Sequence, residues 1–200
     1  LKEISRANNY LQYYYHAWSS EIIYFLNQQR SLLALQKAEK MKKQAFADRY
    51  PYGIFSCIRT MGHIYKSLGN FDLSAQYYQE ALDYMLKNMP DQDPSQLYSN
   101  LAEYYRNTQK DYATALDYCE KALKSAKTER NIAQAMIEKC LILFKQKRID
   151  EFNDCYKEAV QMADRCKLSA NVSLLIAHIS KNILDKQYEQ AHAHADQLSE

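Results

Sequence analysis

One block of sequence returns at a nearly constant spacing, and that recurrence constrains the fold more than any single residue does. Met61-Gly62-His63-Ile64-Tyr65 runs through Gly69-Asn70-Phe71-Asp72 into Ala75-Gln76-Tyr77-Tyr78 and Ala81-Leu82. The same order of residue types returns as Leu101-Ala102-Glu103-Tyr104-Tyr105, Asp111-Tyr112, Ala115-Leu116 and Lys121-Ala122-Leu123. Each pass reads as a helix, a tight turn and a second helix, with small residues where two backbones must approach. Anchoring on the small or apolar residue near the end of the second helix brings Met41, Ala81, Ala122, Ala159 and Leu198 into register. The steps are 40, 41, 37 and 39 residues. A unit this short cannot bury its apolar face alone, so the expected fold is a helical solenoid that displays a surface and encloses no catalytic pocket.

Composition agrees. Three Gly and three Pro in 200 residues are too few turn formers for a sheet protein of this size, and apolar residues return every three or four positions, the helical period. The 26 basic residues against 24 acidic ones make no stripe of the kind a nucleic-acid surface carries. The densest basic group, Lys40, Lys42 and Lys43, has Glu39 beside it, so no nucleic-acid partner is expected. No apolar run approaches the roughly 18 residues of a membrane span. The chain opens on Leu1 and stops at Glu200 within a predicted helix, so it is expected to be a piece of a longer protein.

In the second pass Ile58, Met61, Gly62 and Tyr65 share one helix face. Gly69-Asn70 offers a left-handed cap, Phe71 is expected to plug the turn, and Ser74, Tyr78 and Ala81 form the packing stripe of the second helix. This pattern resembles the tetratricopeptide repeat, whose signature is W-x2-L-G-x2-Y, then A-x3-F, then A. Ile58, Met61, Gly62, Tyr65, Ser74, Tyr78 and Ala81 take those places in turn. In the third pass Tyr98, Leu101, Ala102, Tyr105, Ala115, Cys119 and Ala122 do so, with one extra residue expected in the turn near Gln109-Lys110. The first pass offers Trp18 at the Trp position, then Ile22, Phe25, Ala34, Ala38 and Met41. The fourth (Met136, Cys140, Leu143, Ile149, Phe152, Tyr156, Ala159) and fifth (Leu175, Ile179, Tyr188, Ala191, Ala195) keep polarity but lose most of the small residues.

The resemblance implies an all-α, right-handed superhelical solenoid of about five helix-turn-helix repeats. They are expected near 10–50, 51–92, 93–128, 129–167 and 168–200 of a single domain spanning 1–200. The steps exceed the family's 34-residue period by 3 to 7 residues, which lengthens the helices by one to two turns. Pro90 and Pro94, with Asp91-Gln92-Asp93 between them, mark a long connection ending in a cap. Lys2 to Ala7 reads either as a separate helix ended by Asn8-Asn9 or as the start of one long first helix.

In this family the first helix of each repeat lines the groove. That rule nominates Arg59, His63 and Lys66, then Gln96, Ser99, Asn100, Glu103 and Arg106. His16, Ser19 and Ile23 precede them, and Gln134, Ile137, Glu138 and Leu141 follow. Arg59 and His63 are four apart and lie one above the other, with Asn100 expected nearby, so a peptide carboxylate is the expected ligand. The chaperone-tail clamp of this family is incomplete here, because Gln134 and Glu138 stand where its last cations belong. The resemblance therefore implies a non-catalytic module without a cofactor that binds a peptide or protein segment. Its long period and tyrosine-rich style (18 Tyr, 1 Trp) are similar to the repeat regions of bacterial sensor kinases and transcription regulators. In those proteins the repeats commonly precede a membrane span, which implies the periplasmic part of a membrane-anchored protein, with the cytoplasm as the alternative. The alternative is a self-assembly or free-standing adaptor module, with Leu174, Leu175 and Ile183 packing against a second copy as a homodimer.

Enzyme chemistry finds no foothold. The glycines Gly53, Gly62 and Gly69 are isolated and form no phosphate loop, and no nucleophile motif occurs. Cys57, Cys119, Cys140, Cys155 and Cys166 lack metal-ligand spacing and read as small buried hydrophobes. Cys155 and Cys166 stand about 16 Å apart along one helix, too far to bridge. His192 and His194 point to different sides of a helix and cannot share a metal as an i, i+4 pair can. His178 reads as a partly buried structural residue. Asp72, Asp111 and Asp150 fall where helix starts need caps, and Tyr65, Tyr78, Tyr98, Tyr105 and Tyr112 fall at core offsets.

Overall fold

The computed structural model describes residues 2–7, 9–168 and 171–198, and all regular structure among them is helical. Two compact units divide the chain, Leu1–Gln92 and Asp93–Glu200.

The first unit holds α1 (Lys2–Ala7), α2 (Leu11–Asn27), α3 (Ser31–Asp48), α4 (Pro51–Ser67) and α5 (Phe71–Asn88). Asn9, at φ 58°, separates α1 from α2, so the amino-terminal segment is its own short helix; Asn8 lies outside the described residues. Pro51 opens α4 at a position whose N–H would be unsatisfied in any case. Gly69, at φ +74°, ends α4, and the Asn70 side chain accepts from the Leu73 N–H at 3.2 Å to start α5. Phe71, expected to plug this turn, is the first residue of α5 and is half exposed. Helices of 17 and 18 residues provide the added length that the long period calls for. Ala34, Ala38, Met41, Met61, Ile64 and Ala81 are sealed in the core.

Close approach within α4–α5 depends on a missing side chain. A Cβ on Gly62 would lie 2.6 Å from Tyr78 Cε1, and Ser74 Oγ donates to the Gly62 carbonyl at 2.9 Å. Gly53 does the same for Tyr15, whose ring would meet its Cβ at 2.8 Å. Tyr15 is fully buried and donates to Asp48 Oδ2 at 2.5 Å. Asp48 also takes a two-pronged ion pair from Arg6. That arginine is the chief reason its carboxyl is held down to about 2. Trp18, in contrast, is half-buried and stacks on Tyr15 at 6.4 Å.

The second unit holds α6 (Ser95–Tyr104), α7 (Tyr112–Ser125), α8 (Glu129–Lys145), α9 (Ile149–Arg165), α10 (Val172–Leu184) and α11 (Tyr188–Asp196). Asp93 caps it, accepting from Ser95 N at 2.9 Å, Lys127 N at 2.8 Å and Asn131 Nδ2 at 3.0 Å. The extra residue near Gln109-Lys110 is not in the turn. It is absorbed as a π turn, Tyr105–Gln109, that widens the end of the first helix. Asp111 caps α7 through Thr114 N. Asp72 and Asp150 are not caps; they lie in the first turns of α5 and α9, after Asn70 and Arg148.

Ala133, Ile137, Cys140, Leu143, Phe152, Ala159 and Leu174 form the larger core cluster of this unit, and Ala102, Ala115, Cys119 and Ile142 a smaller one. Leu174 and Leu175, expected to meet a second copy, are both buried, Leu174 in the larger cluster; of that trio only Ile183 is exposed. Tyr188 is also exposed, and Leu198 lies just beyond α11. Of the tyrosines placed at core offsets, only Tyr78 is fully buried. Tyr65 and Tyr105 are half-buried rings stacked across their hairpins on Tyr77 (5.3 Å) and Tyr118 (5.4 Å).

Five hairpin turns each contain one left-handed residue: Gln29, Gly69, Lys110, Lys147 and Lys186. They are spaced by 40, 41, 37 and 39 residues, the same four steps that separate the anchor residues.

Candidate binding cleft

On one face of the first unit α2 and α4 leave a cleft of about 500 Å³. His16, Ser19, Ser20, Ile23, Tyr24 and Asn27 line it from α2, and Arg59, Thr60 and His63 line it from α4. Both are first helices of their hairpins. Five residues nominated from sequence, His16, Ser19, Ile23, Arg59 and His63, are thus brought together; Lys66 is not among the lining residues.

The hydroxyls of the floor are already engaged. Ser19 Oγ donates to Tyr15 O at 3.0 Å and lies 2.7 Å from Ser56 Oγ. Thr60 donates to Ser56 O at 2.7 Å, and Ser20 to His16 O at 3.0 Å. His63 Nδ1 faces the Tyr78 hydroxyl at 2.9 Å. Burial first, then the charges of Arg59 and Lys66, push this imidazole down to about 4. It is neutral at pH 7, and with Nδ1 held by Tyr78 its Nε2 is the ring nitrogen left for a ligand.

Arg59 differs from all of these. Its guanidinium lies 5.3 Å from the Phe55 ring, and its Nε is sealed from solvent with no hydrogen-bond partner. Burial pulls its pKa below the usual arginine value. It is the one formal charge among the lining residues, and no carboxylate accompanies it. A planar donor array under these conditions accepts a carboxylate with little competition from water.

In the second unit Gln96 is exposed, while Asn100 and Glu103 are half-buried. Asn100 Nδ2 has no hydrogen-bond partner. Arg106, nominated as a groove cation, is buried and closed by Glu138: Nε to Oε1 at 2.5 Å and Nη2 to Oε2 at 3.1 Å. Burial lowers its affinity for a proton, but Glu138 outweighs this and the net shift is upward. Ile137 and Leu141, expected to face the groove, are core residues.

Sequence reasoning missed two clusters. Tyr15, Asp48 and Arg6 are far apart in the chain and carry no motif. His178 and His194 stack at 5.0 Å across the α10–α11 hairpin, with His178 Nδ1 held 2.6 Å from the Tyr156 hydroxyl. Among the described residues no group of three or more His, Cys, Asp or Glu could hold a metal ion. No helix among them is long and apolar enough to cross a membrane.

Residues 54–128 match the tetratricopeptide repeat family model. Over that segment the chain is similar to this family, whose fold generally serves as a scaffold for protein interaction. The whole chain is similar in fold to BtubC (BKLC) from P. vanneervenii, with 16% identity, a TM-score of 0.74, and coverage of 98% of this chain and 84% of that one. It is also similar to a Podosopora anserina putative kinesin light chain with nearly identical TPR-like repeats. There the identity is 12%, the TM-score 0.61, and 92% of each chain is covered. A search of curated proteins returned no match.

Proposed function

We propose that the chain binds a peptide or protein segment in the α2–α4 cleft, with Arg59 holding a carboxylate of the ligand and His63 Nε2–H donating beside it. The observation that carries this reading is the enclosed, unpartnered Nε of Arg59 in a cleft without acidic residues. The long repeat period and the 18 tyrosines support a second level of the proposal: the module is the sensory or interaction part of a bacterial signal-transduction protein. A kinase or DNA-binding module encoded beyond residues 1–200 supports that level, and flanking modules of another class overturn it.

Peptide arrays presenting free and amidated carboxyl termini, with hits measured by fluorescence anisotropy, test the cleft. A charge-assisted hydrogen bond contributes about 1.5–3 kcal/mol, so Arg59→Met is expected to weaken binding roughly tenfold or more with an unchanged melting temperature. Equal affinity in Arg59→Met and wild type overturns the assignment.

A further inference from the structure

Cys140 on α8 and Cys155 on α9 face each other across a hairpin closed by the three residues Gln146, Lys147 and Arg148. Their sulfur atoms lie 2.9 Å apart, with the Cys140 thiol donating to Cys155. Unbonded sulfur atoms seldom rest so close, and a disulfide would bring them to about 2.05 Å. The two differ in access. Cys140 is fully buried against Ile137, Leu143 and Phe152. Cys155 is half-buried and lines an open cleft of about 370 Å³. Lys139, Glu151, Asp154 and Glu158 are the charged residues of that cleft, and Glu151 is paired to Arg148 at 2.6 Å. One sulfur is thus presented to solvent and the second waits behind it, the arrangement of an attacking and a resolving cysteine.

We propose that Cys140 and Cys155 form a reversible dithiol–disulfide pair, oxidised by a low-molecular-weight disulfide that enters the cleft beside Cys155. The Cys155 thiolate attacks one sulfur of R–S–S–R and expels RS⁻, leaving a mixed disulfide. Cys140 gives up its proton and attacks Cys155 Sγ, expelling the second RS⁻. The two protein thiols lose two electrons and two protons in all, and R–S–S–R becomes two RSH; excess thiol reverses each step. The hydrogen bond from Cys140, with Lys139 adding to it, draws the Cys155 thiol below its usual range against the opposing effects of burial and Glu158. The same bond and burial push Cys140 up, which assigns the first attack to Cys155. Oxidation staples α8 to α9 and leaves Cys57, Cys119 and Cys166 reduced.

The test uses the reduced 200-residue chain and cystamine, whose positive charge suits the three carboxylates around Cys155. Two of the five thiols are expected to disappear, the protein loses the mass of two hydrogens, and a proteolytic map yields one Cys140–Cys155 peptide pair. Dithiothreitol restores all five. Cys140→Ala is expected to keep cystamine on Cys155 as a stable adduct, whereas Cys155→Ala leaves Cys140 unreacted. Five persisting thiols, a stable cystamine adduct on the wild type, or a disulfide joining other cysteines or two chains overturns the proposal. The wild-type map stands whether or not either variant folds.

Discussion

Arg59 in the first unit and Arg106 in the second both sit on the first helix of a hairpin with the guanidinium Nε removed from water, yet they meet opposite surroundings. Arg106 finds Glu138 through two hydrogen bonds, and both side chains are enclosed. Arg59 has an aromatic ring beneath it and no acceptor at Nε. A buried charge that closes on an internal partner belongs to the fold, whereas one left unpaired leaves that role to a ligand. The same contrast appears in the helix contacts. Gly62 in α4 faces Tyr78 in α5, and the matching places of the next hairpin hold Ala102 and Cys119. One hairpin sets nothing against a large ring; the other divides the volume between two small side chains.

The largest expected effect tests the arginines. Glu138→Gln leaves the Arg106 guanidinium enclosed without a counter-charge, and its removal should cost about 3–5 kcal/mol in urea unfolding. Arg59→Met removes a charge that has no internal partner, so its stability should stay within about 0.5 kcal/mol of wild type. Comparable losses in the two variants would break the comparison, because Arg59 would then be structural as well.

Next come the glycine and its ring. Tyr78 is buried and its hydroxyl is held by His63, so it cannot swing aside for a larger neighbour. Gly62→Leu is expected to cost about 3 kcal/mol, the upper end of overpacking. Importing the other hairpin's pair, as Gly62→Ala with Tyr78→Cys, should cost less than the sum of the two single changes in a double-mutant cycle. Strict additivity would mean that the two positions do not share one volume.

A smaller effect separates the units by pH. His63 titrates near 4 when folded and at about 6.5 when unfolded. The unfolded chain therefore binds the proton more readily, and stability is lost as pH falls from about 6.5 to about 4, by roughly 1–3 kcal/mol. Asp48, held at about 2, gives a separate loss only below its unfolded value near 4. Trp18 is the single tryptophan and belongs to the first unit, so its fluorescence follows this unit alone. His63→Gln, which keeps an acceptor for Tyr78, should abolish the upper window and leave the lower one. If the upper window survives, the titrating group lies elsewhere.

The period, the helix pairs and the small contact residues were legible because helix packing imposes them at short range: Gly62, Ala81, Ala102 and Ala122 are small where backbones meet. The cleft was partly legible for the same reason, since Arg59 and His63 share one helical face with known orientation. What stayed hidden depends on long-range pairing. Nothing local reports that Glu138 closes on Arg106, that Asp48 collects Arg6 and Tyr15, or that Cys155 comes to rest against Cys140. The extra residue of the third repeat was visible, but its place in a π turn was not, because a helix can widen at little cost where a loop could also lengthen.

The turns give the smallest effect. All five hairpins place one residue at positive φ in the same register, but only Gly69 is a glycine; Gln29, Lys110, Lys147 and Lys186 adopt the conformation with a side chain attached. A Cβ in this region costs about 1 kcal/mol or more, and a glycine also gains freedom in the unfolded chain, which offsets part of that. Lys147→Gly should therefore raise stability by a few tenths to about 1 kcal/mol, and Gly69→Lys should lower it by a similar amount. The two changes exchange one turn's chemistry for the other's without touching a core residue, and the Gly69 site has open space around it, so strain of the backbone is the one variable. Equal and opposite shifts in thermal melting would show that the repeat holds its turn geometry through the packing of the two helices, which forces lysine into a conformation it does not prefer. A neutral Lys147→Gly would mean that the lysine stem recovers the backbone cost through contacts of its own.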